Sequence, residues 1–184
     1  GTWYLYVLSR DVSRVAPLHD RQDPRLMTLT RLLHDVGCFH RLIGAPVAAE
    51  PTLLSGGGAA CRRLSKSLRH VAALCQASVQ RGNDLSARVG MAVEELAEWV
   101  EAHEQGDLAA AADAWGDRLY VLLGDAVAAG LPADEIFAEV QRSNLTKAEA
   151  DASGKGRKGA GFRKPELAAL VRRHAASPGE PAAS

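Results

Sequence analysis

The segment EELAEWVEAHEQGDLAAAADAWGD, residues 94–117, decides the fold of this chain. It sets Glu94, Glu95 and Glu98 within little more than one helical turn, crosses a Gly-Asp turn, and then scatters two aspartates among alanines. At about 100° per residue, Glu94, Glu98 and Glu101 fall within roughly a 60° stripe of one helix, with Glu95 beside them. Val93, Leu96, Trp99 and Val100 take the other side. Beyond the turn, Asp113 and Asp117 lie one turn apart and share a face with Tyr120, Val121 and Gly124. Trp115, Leu119, Leu122 and Leu123 cover the remainder. So short a turn makes the two helices antiparallel neighbours. A helix apolar nearly all round is expected to be buried, and its aspartates with it.

Helical periodicity continues on both sides. Upstream, Asp23 and Pro24 suit the start of a helix that carries Leu26, Leu29, Leu33, Val36 and Leu42 and closes at Gly44. The prolines and glycines of 45–58 read as a loop. From Ala59 to about Gln80 an amphipathic helix is expected to bury Leu64, Leu68, Val71, Leu74 and Val79 and to expose Arg and Lys. RGND ends it, and Asn83 or Asp84 caps the acidic helix. Downstream, Gly130 stops the Asp-bearing helix, Pro132 opens a shorter one through Arg142, residues 152–161 form a Gly/Lys-rich loop, and PELAALVRRH is a last helix. The fold class is all-α, with a helical bundle at its heart.

Composition agrees and excludes several functions. Aromatics are only 5% of the chain while alanine and leucine abound, which favours a helical core over sheets. The 184 residues suffice for one domain, here 22–175. Residues 1–21, with the strand-like WYLYVL, read as an extended arm of no assigned role, and 176–184 as a disordered tail. Twenty-two basic residues balance 22 acidic ones, so there is no general electrostatic footprint for nucleic acid. No apolar run is long enough for a membrane span, and the opening residues do not form a signal peptide. The first residue is Gly1 rather than Met, as in a fragment or processed chain. Cys38, Cys61 and Cys75 lack CxxC spacing and are odd in number, which argues against a zinc site or disulfide framework and suits a reducing cytoplasm.

The acidic residues admit two readings: a solvated face, or a convergence of Glu94, Glu95, Glu98, Asp113 and Asp117 across the helix pair. Converging carboxylates repel by several kcal/mol unless a cation neutralises them, and an all-oxygen set favours Mg²⁺ or Mn²⁺. A ferritin-like di-iron site needs Glu-x-x-His pairs, and none occurs.

The ordered series of EELAE, DAWGDRLYVLLGDAVAAGLPADEIFAEVQRSNLTK and KGAGFRKPEL, with DVGCFHRLIGAPV upstream, resembles the MazG-like all-α nucleoside triphosphate pyrophosphohydrolases. The nearest branch is that of phosphoribosyl-ATP pyrophosphohydrolase and dimeric dUTPase. The resemblance implies a four-helix bundle completed by dimerisation, as a homodimer or dimer of dimers. It also implies Mg²⁺-dependent cleavage of a (deoxy)nucleoside triphosphate to the monophosphate and pyrophosphate. By the same resemblance, Glu95, Glu98 and Asp117 are metal ligands and Glu94 holds or deprotonates the attacking water. Asn144, Lys147 and Lys158 meet sugar and phosphates, and Lys147, Lys158 and Arg163 stabilise the leaving pyrophosphate.

Two features depart from that pattern. Where many members have Glu-x-x-Asp, Ala114 stands three before Asp117, leaving Asp113 as the substitute ligand. Residues 54–82 read as an insertion, or as an error in the gene model. The loop around Lys158 reads either as a lid over the nucleotide or as a plain linker, and Asn144 either as a nucleotide contact or as a helix cap. Phe39 and His40 read as packing and surface residues, and Trp99 and Trp115 as core, or one of them as the lining of a base pocket. The rival to an enzyme is a non-catalytic helical interaction or regulatory protein with a degenerate metal site. A toxin- or stress-system partner is a third reading.

Overall fold

A computed structural model describes residues 28–79, 83–150 and 154–176. The N-terminal arm, the Asp23–Pro24 cap, the break at Arg81–Gly82 and the tail from 177 on lie outside the described residues. Six helices run in order: α1 (Leu29–Ile43), α2 (Ala59–Val79), α3 (Asp84–Gln105), α4 (Leu108–Ala129), α5 (Ala133–Asn144) and α6 (Leu167–Ala176). There is no strand among the described residues; one antiparallel bridge pairs Ala150 with Gly156. The all-α expectation holds. No helix among the described residues is long and apolar enough to cross a membrane. Cys38, Cys61 and Cys75 are all free.

Helix ends follow local chemistry. Asn83 Oδ1 accepts from the Ser86 N–H at 3.0 Å, and Asp107 Oδ1 accepts from the Ala110 N–H at 3.0 Å, so α3 and α4 each start on a side-chain cap. Gly44, Gly106 and Gly130 close α1, α3 and α4 in the left-handed region, where a Cβ would be strained. Thr28 Oγ1 accepts the Arg31 N–H at 3.3 Å and caps α1 at Leu29.

Helices α2, α3 and α4 pack side by side as a layer, with α3 in the middle. The α2–α3 seam is built from small residues: Ser65 is buried, and a Cβ on Gly90 would come within 3.1 Å of Cys75 Cβ. Ala97 and Ala102 of α3 and Ala111 and Ala114 of α4 are buried as well. This overturns the expectation for α2, whose Leu64, Val71 and Leu74 are exposed. Small side chains let the helices approach closely, and that close approach turns the larger ones onto an outer face.

The layer is therefore two-sided. One side carries Arg69, Glu94, Glu98 and Glu101. By helical spacing, the other carries Leu64 and Val71 of α2, Val89 and Leu96 of α3, and Trp115, Leu119 and Leu122 of α4. A groove of about 310 Å³ opens there between α3 and α4, lined by Ala92, Leu96, Trp115, Leu119 and Leu122 together with Arg118 and Asp125. Burial of α4, expected from its composition, is not found: Tyr120 is 80%, Val127 83% and Leu122 62% exposed.

Helices α1, α5 and α6 make a second group. Gln141 Nε2 donates to the Asp35 carbonyl at 2.6 Å, tying α5 to α1. Glu139 accepts from both arms of Arg142, at 2.8 and 2.7 Å, and from the Glu166 N–H at 2.7 Å, tying α5 to the start of α6. The Arg142 guanidinium and then the Glu166 N–H hold the Glu139 carboxyl down to about 2, from an ordinary 4.5. A depressed pKa in the folded state adds stability above the unfolded value and loses it as pH falls. The α5–α6 junction should therefore loosen between pH 4.5 and about 2. Hydrogen exchange at Glu166 should show that dependence in the native sequence and a flatter one in Glu139→Gln.

Candidate active site

Glu94, Glu95 and Glu98 project from the middle of α3, and Asp117 from the facing stretch of α4. Arg69 meets this acidic face from α2. Its Nε and Nη2 donate to Glu101 at 3.0 and 2.6 Å, and its Nη1 lies 3.5 Å from Glu98 and 3.9 Å from Glu94. Sequence reasoning assigned no function to Arg69, since it lies in the stretch read as an insertion. A signal was present: Arg62 and Arg69 share one face of α2 about two turns apart, opposite Glu104 and Glu101.

Glu95 sits differently from its neighbours. It points into the angle between α3 and α4, and its Oε2 is buried with no hydrogen-bond partner. Burial, followed by the negative charges of Glu98, Asp117 and Glu94, pushes its carboxyl up to about 7, against the weaker opposing pull of Arg69. Three of the other four carboxylates expected to converge thus bear on the Glu95 carboxyl. Asp113, by contrast, is exposed and is not among the charges acting on Glu95; Asp117 is exposed as well. The aspartates were expected to be buried, and they are not, because α4 lacks a covering neighbour. Ala114 is buried against α3.

Among the described residues, no group of three or more His, Cys, Asp or Glu side chains is already gathered as a cation cage. The donor chemistry nevertheless suits a hard divalent cation. The oxygens are carboxylate, one is buried and unsatisfied, and a cation would offset both the burial and the repulsion that raise the Glu95 carboxyl.

The basic candidates form a separate cluster on the α1–α5–α6 group. Ser143 Oγ donates to the Arg163 carbonyl at 2.8 Å, and the Arg163 N–H donates to Thr146 Oγ1 at 2.8 Å. These bonds fold the 158–165 loop onto the SNLTK turn. Lys147 Nζ stands 5.7 Å from the centroid of the Phe39 ring, and Lys158 Nζ 5.2 Å from that of Phe162. Gly156 makes this packing feasible: a Cβ there would lie 3.2 Å from Ile43, Lys147 and Phe39 alike. Asn144 is the last residue of α5, half-buried, and its carbonyl accepts the Lys147 N–H at 3.0 Å. Phe39 thus packs as expected. Among the described residues, no hydrogen bond, ion pair or ring contact joins Asn144, Lys147, Lys158 or Arg163 to the carboxylate cluster.

Residues 61–144 match the family described as phosphoribosyl-ATP pyrophosphohydrolase, PRA-PH. They are a PRA-PH domain. That domain belongs to the MazG-like nucleotide pyrophosphohydrolase superfamily, which EELAE and the second acidic box resemble. No curated protein matches the chain. The PRA-PH domain spans α2 to α5, so it contains every candidate carboxylate and Asn144, while Lys147, Lys158 and Arg163 lie beyond its end. It also takes in 61–82, most of the stretch read as inserted, where α2 forms one side of the layer and brings in Arg69. Its type is that of a pyrophosphohydrolase.

Proposed function

We propose that this chain is a Mg²⁺- or Mn²⁺-dependent pyrophosphohydrolase that cleaves a (deoxy)nucleoside triphosphate, or a phosphoribosylated relative of one, to a monophosphate and pyrophosphate. The observation that carries the reading is Glu95: an orphaned carboxylate oxygen pressed by Glu94, Glu98 and Asp117 inside a PRA-PH domain. Glu95, Glu98 and Asp117 would hold the cation, with Asp113 at the rim. Bound there, it would supply positive charge to the phosphate oxygens and acidify the attacking water.

The chain's own residues do the rest. Glu94 takes the proton as water adds to phosphorus in line and the α–β anhydride bond breaks. Lys147, Lys158 and Arg163 offset the charge growing on the departing pyrophosphate. In one chain these cations stand apart from the carboxylates. The reading therefore includes a homodimer, singly or as a dimer of dimers, that buries exposed apolar residues of α4 and completes each site at the subunit interface. The free thiols of Cys38, Cys61 and Cys75 suit a cytoplasmic enzyme of this kind.

A nucleotide panel that includes phosphoribosyl-ATP, run with and without Mg²⁺, tests this directly. Monophosphate and pyrophosphate should appear only with the metal, and no inorganic phosphate should be released. Diphosphate plus phosphate would place the protein in another reaction class. No hydrolysis of any nucleotide would favour the interaction-protein reading, which the separation of lysines from carboxylates supports.

A further inference from the structure

The guanidinium of Arg69 is divided between two tasks. Nε and Nη2 are committed to Glu101 at 3.0 and 2.6 Å, a two-point grip that fixes the plane of the group. Nη1 is left facing Glu98 at 3.5 Å and Glu94 at 3.9 Å. These longer contacts are ion pairs that can exchange, whereas the Glu101 pair is an anchor. Glu101 is not among the candidate ligands, so the anchor leaves the candidate site free while holding a positive charge at its edge. No other arginine or lysine forms an ion pair with Glu94 or Glu98 among the described residues.

We propose that Arg69 is the resident counter-cation of the carboxylate face, and that a divalent metal ion must displace its Nη1 from Glu94 and Glu98 to bind. This rests on the metal reading given above. In the metal-free protein Arg69 offsets the mutual repulsion of the acidic face. The same charge opposes an arriving divalent cation, which weakens the site for bare metal. Arg69 is thus a positioning residue that sets metal affinity from outside the ligand set.

The test uses Mn²⁺ as probe with the full chain. Free Mn²⁺ is followed by its paramagnetic resonance, and melting temperatures are recorded in chelator. Removing a positive charge less than 4 Å from the carboxylates should tighten Mn²⁺ binding at least about tenfold in Arg69→Gln at low salt. That gain should shrink as salt is raised through the range where exposed charges are screened. Arg69→Lys keeps the charge without the fork, and should bind Mn²⁺ within about threefold of the native chain. Metal-free Arg69→Gln should melt lower than the native chain, with Mn²⁺ restoring the loss. If that variant folds only with Mn²⁺, its melting temperature as a function of Mn²⁺ concentration reports the same affinity. Equal or weaker binding by Arg69→Gln, or an Arg69→Lys that behaves like Arg69→Gln, overturns the proposal while leaving the metal site standing. Binding of Mn²⁺ by neither the native chain nor the variants overturns both.

Discussion

Replacing Glu95 with alanine should lower nucleotide turnover by more than about a hundredfold, because loss of a mere outer partner of a metal ligand already costs about 10–100-fold. Asp117→Ala should fall comparably, since Asp117 is the α4 charge that acts on Glu95. Steady-state kinetics at saturating Mg²⁺, with pyrophosphate as the measured product, check both. Asp113→Ala separates the two arrangements open to the second acidic box. A loss like that of Asp117→Ala would give Asp113 the role that Ala114 cannot fill. A near-neutral result would agree with its exposed place and mean a smaller ligand set.

Glu95 also makes a prediction without substrate. Its carboxyl is raised in the folded chain to about 7 from 4.5. A raised pKa adds stability that is complete below the unfolded value and is lost as pH rises through the folded one. The metal-free protein should therefore lose stability between pH 4.5 and about 7, and Glu95→Gln should lose less of it. A native melting curve that does not respond to pH across that window would remove the case for Glu95 as the strained centre of the site.

The second large effect concerns assembly. Leu122, Val127 and Tyr120 of α4 are too exposed for a helix of this composition to be at rest in a single chain. Light scattering at micromolar concentration should give a homodimer or a multiple of one. Leu122→Asp should convert it to monomer, because a charge at a desolvated contact is left without a partner. The monomer should also lose turnover with Glu95 and Asp117 intact, since the lysines of a second copy would no longer reach the carboxylates. A stable native monomer would refute the assembly.

What was legible in the sequence was mostly local. Asn83, Asp107, Gly44, Gly106 and Gly130 marked helix ends through capping and left-handed closure, and α3 and α4 emerged with their short turn between them. Of the expected facing of Glu94, Glu95 and Glu98 with Asp113 and Asp117, Asp117 bears on Glu95 and Asp113 does not. What failed depended on which neighbours a helix has. Hydrophobicity alone sent Leu64, Val71 and Leu74 inward, whereas the seam of α2 is made by Ser65, Cys75 and the bare Cα of Gly90. Asp113 and Asp117 were placed in a core that one chain does not build. Arg69 went unassigned because it lies in the stretch read as an insertion, although its place two turns from Arg62 on one face of α2 was a signal.

The hydrogen bond from Gln141 to the Asp35 carbonyl joins residues 106 positions apart in sequence, whereas α2, α3 and α4 are consecutive neighbours. The layer can close through short loops as soon as its helices exist, so its formation is entropically cheap and fast. Helix α1 is made first yet docks only after α5 has emerged, about 5–20 s later at ordinary rates of synthesis. The acidic layer is complete once Ala129 is made, 18 residues and about 1–4 s before Lys147. The order of assembly thus gives a nascent chain its carboxylates before the cations that would face a nucleotide.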